Sequence, residues 1–272
     1  MPDEREPWAL ILGASSGFGE AAALALAADG YGVAGVHLDR RAAMAHVEEI
    51  RARIGALGRE SLYFNINAAD DGQRAQTIAA LGEHFAAAAR AGRHPYVRVL
   101  MHSLAFGTLK PYIAGEAKDA ISRKNMEMTL DVMAHSLVYW TQDLVRAGLL
   151  ERGSRIYAMT SEGSTRVVDS YGAVSAAKCA LESHCRQLAM ELARHGLGVS
   201  VNALRAGVTM TPALMQIPER DKLIDHAMTR NPSGRMTTTD DVARAIVLLS
   251  RDGADWITGN VIGIDGGELI AG

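Results

Sequence analysis

Tyr171 and Lys178 stand seven residues apart in Tyr171-Gly172-Ala173-Val174-Ser175-Ala176-Ala177-Lys178. At about 3.6 residues per turn, positions seven apart fall on nearly one helix face, so a phenol and an ammonium would point the same way. A second group lies far upstream, in Gly13-Ala14-Ser15-Ser16-Gly17-Phe18-Gly19, with the spacing G-x-x-x-G-x-G. Glycines let the backbone turn tightly and approach a pyrophosphate, and a helix beginning there supplies unpaired N–H donors and a partial positive charge. A third group is Val36-His37-Leu38-Asp39-Arg40-Arg41, where two guanidinium groups could grip a phosphate as forks. The nine histidines form no dense ligand spacing, so no metal site is expected.

These residues need elements to carry them, and the chain alternates accordingly. Short apolar runs at 8–12, 32–38, 61–66, 97–102, 155–160, 198–204 and 260–264 read as strands. Longer, Ala-rich stretches at 17–28, 40–57, 70–91, 119–147, 171–194 and 238–250 read as helices. Strands that alternate with helices predict a parallel sheet covered on both faces. Ala9-Leu10-Ile11-Leu12 is continuously apolar, as a strand buried on both faces should be. The expected fold class is α/β: a Rossmann-like, doubly wound parallel sheet of about seven strands. No repeat or composition break divides the chain, so a single domain over 1–272 is expected. In the helix at 171–194, Val174, Ala177, Leu181, Leu188 and Leu192 mark the buried stripe, with Lys178 beside it.

Composition sets the limits. The chain has 272 residues, 48% hydrophobic and 22% charged, which excludes a disordered chain. A net charge of −3 and 5% aromatic content give no sign of a nucleic-acid partner. No apolar run reaches the ~20 residues of a membrane span, and the start carries acids where a signal peptide would be basic. Cys179 and Cys185 are too few for a disulfide framework and match no zinc spacing. A cytoplasmic protein is the expectation.

The glycine loop behind a strand and before a helix resembles the short-chain dehydrogenase/reductase family, and the likeness runs from about Trp8 to Gly267. Trp256-Ile257-Thr258-Gly259-Asn260-Val261-Ile262-Gly263-Ile264-Asp265-Gly266-Gly267 is similar to that family's final strand and turn. Most members have Tyr-x3-Lys, but Val174 stands four residues before Lys178 here. Tyr-x6-Lys resembles the enoyl-acyl-carrier-protein reductases. His102-Ser103-Leu104-Ala105-Phe106 resembles their run after the fourth strand, and Ala203-Leu204-Arg205-Ala206-Gly207-Val208-Thr209-Met210-Thr211 their strand-six loop. The ordinary glycine spacing, with Ala213-Leu214-Met215-Gln216-Ile217-Pro218-Glu219-Arg220 and Asn231-Pro232-Ser233-Gly234-Arg235-Met236, is similar to one branch of them.

The resemblance implies a nicotinamide cofactor on Gly13, Ser15, Ser16, Gly17, Phe18, Gly19, His37, Arg40, Arg41, Asn67, His102, Ser103, Lys178, Val208 and Thr211. Arg40 and Arg41 favour NADPH over NADH. It implies that Tyr171 binds the substrate oxygen, that Lys178 holds the nicotinamide ribose and lowers the tyrosine's pKa, and that Ser161 assists at the carbonyl. Ser161 stands seventeen residues before Lys178, at the wider family's serine position, and ten before Tyr171, where many enoyl reductases have a second tyrosine. Asp131 replaces the usual asparagine of the fourth helix. Relative to a four-residue spacing, Tyr171 moves about 4.5 Å along the helix axis. That displacement suits a conjugated C=C–C=O substrate, whose hydride acceptor and negative oxygen are separated. The implied substrate is a trans-2-enoyl thioester on acyl-carrier protein, with 212–230 as an amphipathic cover and a homotetramer as the assembly. A reductase of another enone or carbonyl compound, or a non-catalytic NADP(H)-binding sensor or scaffold, stands as the alternative.

Overall fold

A computed structural model describes residues 5–218 and 220–271. Seven strands form one sheet: β1 (Arg5–Leu12), β2 (Gly32–His37), β3 (Ser61–Asn65), β4 (His94–His102), β5 (Leu150–Thr160), β6 (Ser200–Ala206) and β7 (Val261–Ile264). Their order is β3-β2-β1-β4-β5-β6-β7, and every neighbouring pair is parallel. The strand order reverses between β1 and β4. In such sheets the crevice outside the strand C-termini at the reversal is where ligands bind.

Helices cover both faces: α1 (Gly17–Ala28), α2 (Met44–Ala56), α3 (Asp71–Arg90), α4 (Arg123–Leu130), α5 (Ser136–Arg146), α6 (Gly172–Arg194), α7 (Arg220–Arg230) and α8 (Thr239–Ser250). Alternation along β1 explains the two layers, because successive strand side chains point to opposite faces. Trp8, Leu10 and Leu12 join Leu81 and Phe85 of α3, Trp140 of α5 and Leu181 of α6 in one core. Ala9 and Ile11 join Leu26 of α1, Ile54 of α2 and Ile246 of α8 in the other. Ala22 and Ala23 are fully buried on α1 and let that helix lie close to the sheet.

The elements depart from the sequence pattern in several places. β4 and β5 begin earlier than expected, at His94 and Leu150, because Arg5–Trp8 and Val97 extend the ladder through polar residues. The helix expected over 119–147 is interrupted by a wide turn at Asp131–His135, which separates α4 from α5. Just after it, Ser136 Oγ donates back to the Val132 carbonyl inside the turn at 2.8 Å. α7 was expected only as a cover without a defined helix. Glu219, inside that expected segment, lies outside the described residues.

Candidate active site

A cavity of about 1250 Å³ opens at the C-terminal ends of the strands. Its floor is the glycine loop. Gly13 has φ +89°, and a Cβ there would lie 2.6 Å from the Ser103 carbonyl oxygen. A Cβ on Gly19 would collide with the Gly13 carbonyl. The loop is pinned by Gly13 N–H to Val36 O at 2.8 Å and by Ser103 N–H to Leu12 O at 2.8 Å. Ser16, extended at the head of α1, makes no side-chain cap bond. A Cβ-free cradle thus faces a helix N-terminus whose first amides have no side-chain acceptor, which fits a pyrophosphate.

Tyr171, the first residue of the expected helix, is the cap of α6, which starts one residue later at Gly172, and has φ −94° and ψ 1°. Its carbonyl accepts from Ser175 N–H at 2.8 Å, so Tyr171 already lies on the helical screw. The seven-residue alignment with Lys178 therefore holds. The ring rests on Gly163, where a Cβ would stand 2.7 Å from Tyr171 Cε1. Burial pushes the Tyr171 hydroxyl above the ordinary tyrosine value, and a hydrogen bond with the Ser161 side chain opposes it. The net direction is up, so the expected lowering by Lys178 is not what governs this group; loss of water around the phenol is. At neutral pH the hydroxyl is a donor.

Lys178 is buried in α6, and its Nζ donates to the Met159 carbonyl at 2.7 Å. Desolvation brings it down to about 8, still largely cationic at neutral pH. One turn on, Glu182 Oε1 accepts from Thr160 Oγ at 2.7 Å. These two bonds clamp α6 to the end of β5, and they fix where Tyr171 and Lys178 stand relative to Ser161. Ser161 Oγ also accepts from Gly163 N–H at 3.1 Å.

The structure brings most of the expected residues together. Gly13, Ser15, Ser16, Gly17, Phe18, His37, Asn67, Ser103, Ser161, Tyr171, Lys178, Val208 and Thr211 all line the cavity. Gly19 acts behind the loop. His102 does not reach the cavity: it is fully buried, with Nε2 2.9 Å from Ser136 Oγ. Because that hydroxyl gives its proton to Val132, His102 Nε2 is the donor. Burial and the Lys178 charge hold this ring down at about 3, a neutral packing group. Arg40 and Arg41 are exposed, outside the cavity wall. At the same edge, Asp39 is fixed instead, with Oδ2 2.9 Å from His37 Nδ1 and its N–H donating to Asn65 Oδ1 at 2.9 Å.

Several site residues carried no sequence signal. Glu162 and Glu268 both line the cavity although they lie more than a hundred residues apart, and Arg230 connects their surroundings. Arg230, buried, reaches Glu162 Oε1 at 3.4 Å and the Leu269 carbonyl at 3.3 Å. Glu268 accepts from Val208 N–H at 3.2 Å. Ser170, beside Tyr171, has φ 59°, alone among the described non-glycine residues in the left-handed region. Among the described residues no group of three potential metal ligands gathers, and no helix is long and apolar enough to cross a membrane. Cys179 is exposed and Cys185 buried, both free.

A family profile described as Enoyl-(Acyl carrier protein) reductase matches residues 13–268, glycine loop to terminal turn. The chain belongs to that family. The enoyl-(acyl-carrier-protein) reductase (NADH) FabI of Aquifex aeolicus is 33% identical over 175 residues, 64% of this chain. That match spans 63% of the relative's length. The crystal structure of the Aquifex aeolicus enoyl-(acyl-carrier-protein) reductase (NADH) superposes with a TM-score of 0.81 at 27% identity, covering 98% of this chain and 97% of that one. A Burkholderia cenocepacia short-chain dehydrogenase solved in complex with NADP gives a TM-score of 0.78 at 26% identity, covering 98% of both chains. The Rossmann-like fold is thus that of its structural neighbours.

Proposed function

We propose that this chain reduces the C2=C3 double bond of a trans-2-enoyl thioester with a nicotinamide nucleotide, an oxidoreductase acting on a CH–CH group. The observation that carries the reading is the Tyr171–Lys178 pair on one face of α6, both groups lining the cavity. When bound, the reduced nucleotide supplies the hydride. The glycine loop and the α1 N-terminus would hold its phosphates, His37 and Asn67 would take its adenosine end, and Lys178 would hold the ribose nearest the reacting ring. Tyr171 donates its hydroxyl proton in a hydrogen bond to the thioester oxygen and stabilises the enolate that forms there. Its raised pKa supports this role, since a neutral phenol is the donor that an oxyanion needs.

Cofactor choice rests on the adenosine edge. The exposed Arg40 and Arg41 support NADPH, while the fixed Asp39 carboxylate, which would repel a 2′-phosphate, supports NADH. The Aquifex relative's name specifies NADH. Leu214, Ile217 and Leu223 line the cavity from 212–230, which supports that segment as the cover of an acyl chain. An acyl-carrier protein as carrier, a single catalytic domain and a cytoplasmic homotetramer complete the proposal.

The test is oxidation of NADH or NADPH by crotonyl thioester, followed by absorbance, with Tyr171→Phe expected to slow turnover at least ~100-fold. Unchanged turnover in that variant would remove Tyr171 from the reaction. One observation favours a second reading. Ser161 and Tyr171 line the cavity together, and the Ser161 side chain acts to lower the Tyr171 pKa, a serine–tyrosine pairing suited to reducing a carbonyl directly. A matched 3-oxoacyl thioester separates the two, because only the carbonyl reading predicts that it is the faster substrate.

A further inference from the structure

One buried acid in the cavity has no part in the chemistry above. Glu268 is 2% exposed, yet it lines the cavity. It sits in the turn after β7, and its carboxylate folds back to accept from Val208 N–H at 3.2 Å. The backbone makes room for it: a Cβ on Gly207 would stand 2.6 Å from Glu268 Oε2. The charges facing it are Glu162, Asp265 and Arg230. Burial raises its titration, while the Val208 N–H and Arg230 favour the ionised form.

Its position along the cavity follows from its neighbours. The glycine loop fixes the phosphates, and Thr211 packs 3.5 Å from where a Gly17 Cβ would be. From there the cavity runs one way to His37 and Asn67, and the other way to Tyr171 and Lys178. Glu268 belongs to the second arm, because it holds Val208 and because its neighbour Leu269 accepts from Arg230, which reaches Glu162, the neighbour of Ser161. The ring that gives up hydride must stand in that arm.

We propose that Glu268 is a charge-stabilising residue for the nicotinamide, held by Val208 N–H so that its carboxylate favours the cationic, oxidised ring over the neutral, reduced one. This rests on the function proposed above. Hydride transfer moves two electrons and a proton as H⁻ from the ring to the β-carbon of the substrate. The C–H bond on the ring breaks, a new one forms on the β-carbon, and the ring is left with one positive charge. A fixed carboxylate in a poorly hydrated wall is already oriented for that charge, and costs no reorganisation when it develops. Such a residue acts on the oxidised and reduced nucleotides unequally, and that inequality is measurable without turnover.

The experiment compares Kd for NAD⁺ and NADH, or NADP⁺ and NADPH, at pH 8 in the wild type, Glu268→Gln and Glu268→Asp by calorimetric titration. Glutamine keeps an oxygen acceptor for Val208 N–H and removes only the charge. Its ratio of oxidised to reduced affinity should fall about tenfold, whereas aspartate should keep the ratio within about threefold. An unchanged ratio in Glu268→Gln overturns the proposal while leaving the reductase reading intact. If the wild type binds neither form of either nucleotide, the reductase reading itself fails, and this proposal with it. Should glutamine fail to fold, an aspartate variant whose ratio falls tenfold despite keeping its charge would equally refute the idea.

Discussion

Replacing Lys178 with methionine should make the protein more stable as it disables the site. The buried ammonium titrates at about 8, against an ordinary 10.5, because it has lost its water. At about 1.36 kcal/mol per pH unit, holding that charge inside costs the folded state about 3 kcal/mol at pH 7. Methionine has similar length and no charge. It forfeits the bond to the Met159 carbonyl, worth about 1 kcal/mol, so the net gain at pH 7 is about 2 kcal/mol. The sign can be followed with pH. Below about 8 both folded and unfolded chains carry the proton, and the full cost is present. Between 8 and 10.5 the folded chain has released the proton while the unfolded chain still holds it, so wild-type stability climbs. The methionine variant shows no such climb from this position. By pH 10 the wild type should have gained roughly 2–3 kcal/mol on the variant, enough to close the gap. Urea unfolding of both proteins without cofactor, from pH 7 to pH 10, measures it. A gap that does not change with pH, or a variant less stable at pH 7, would refute the argument that desolvation controls this lysine.

Two further outcomes are expected. Ser170 holds a left-handed conformation that costs an L-residue roughly 1–2 kcal/mol, so Ser170→Gly should leave urea stability equal or higher while Ser170→Val lowers it by at least ~1 kcal/mol. Arg230→Met removes the donors to Leu269 O and Glu162, and amide exchange in α7 should accelerate about tenfold while α1 stays unchanged.

The sheet was legible in the sequence because its strands are short apolar runs punctuated by glycine. α1 matches its expected bounds since Gly17 opens it and Asp29-Gly30 closes it. The five apolar positions marked along α6 are all buried, and Lys178 is buried with them. What escaped was decided by contacts distant in the chain. The early start of β4 depends on pairing with Arg5, and polar residues such as His94 carry no strand pattern of their own. The wide turn at Asp131–His135 leaves no glycine or proline to announce it. His102 stands beside Ser103 in sequence, yet strand alternation turns one into the core and the other to the cavity. Glu268 follows the family-like turn as an ordinary acid, and only the fold brings it to Val208.

Met159 has a consequence beyond its modest place at the end of β5. Its side chain packs in the layer with α1, α2 and α8, while its carbonyl holds Lys178 from the opposite face of the sheet. One peptide therefore belongs to the rear core and to the front chemistry at once. A change of volume at Leu204 or Ile246, which share that layer with Met159, would be felt as a displaced oxygen under the ammonium. Packing on the back of the sheet thus sets the electrostatics of its front, and substitutions there can alter activity without approaching the cavity.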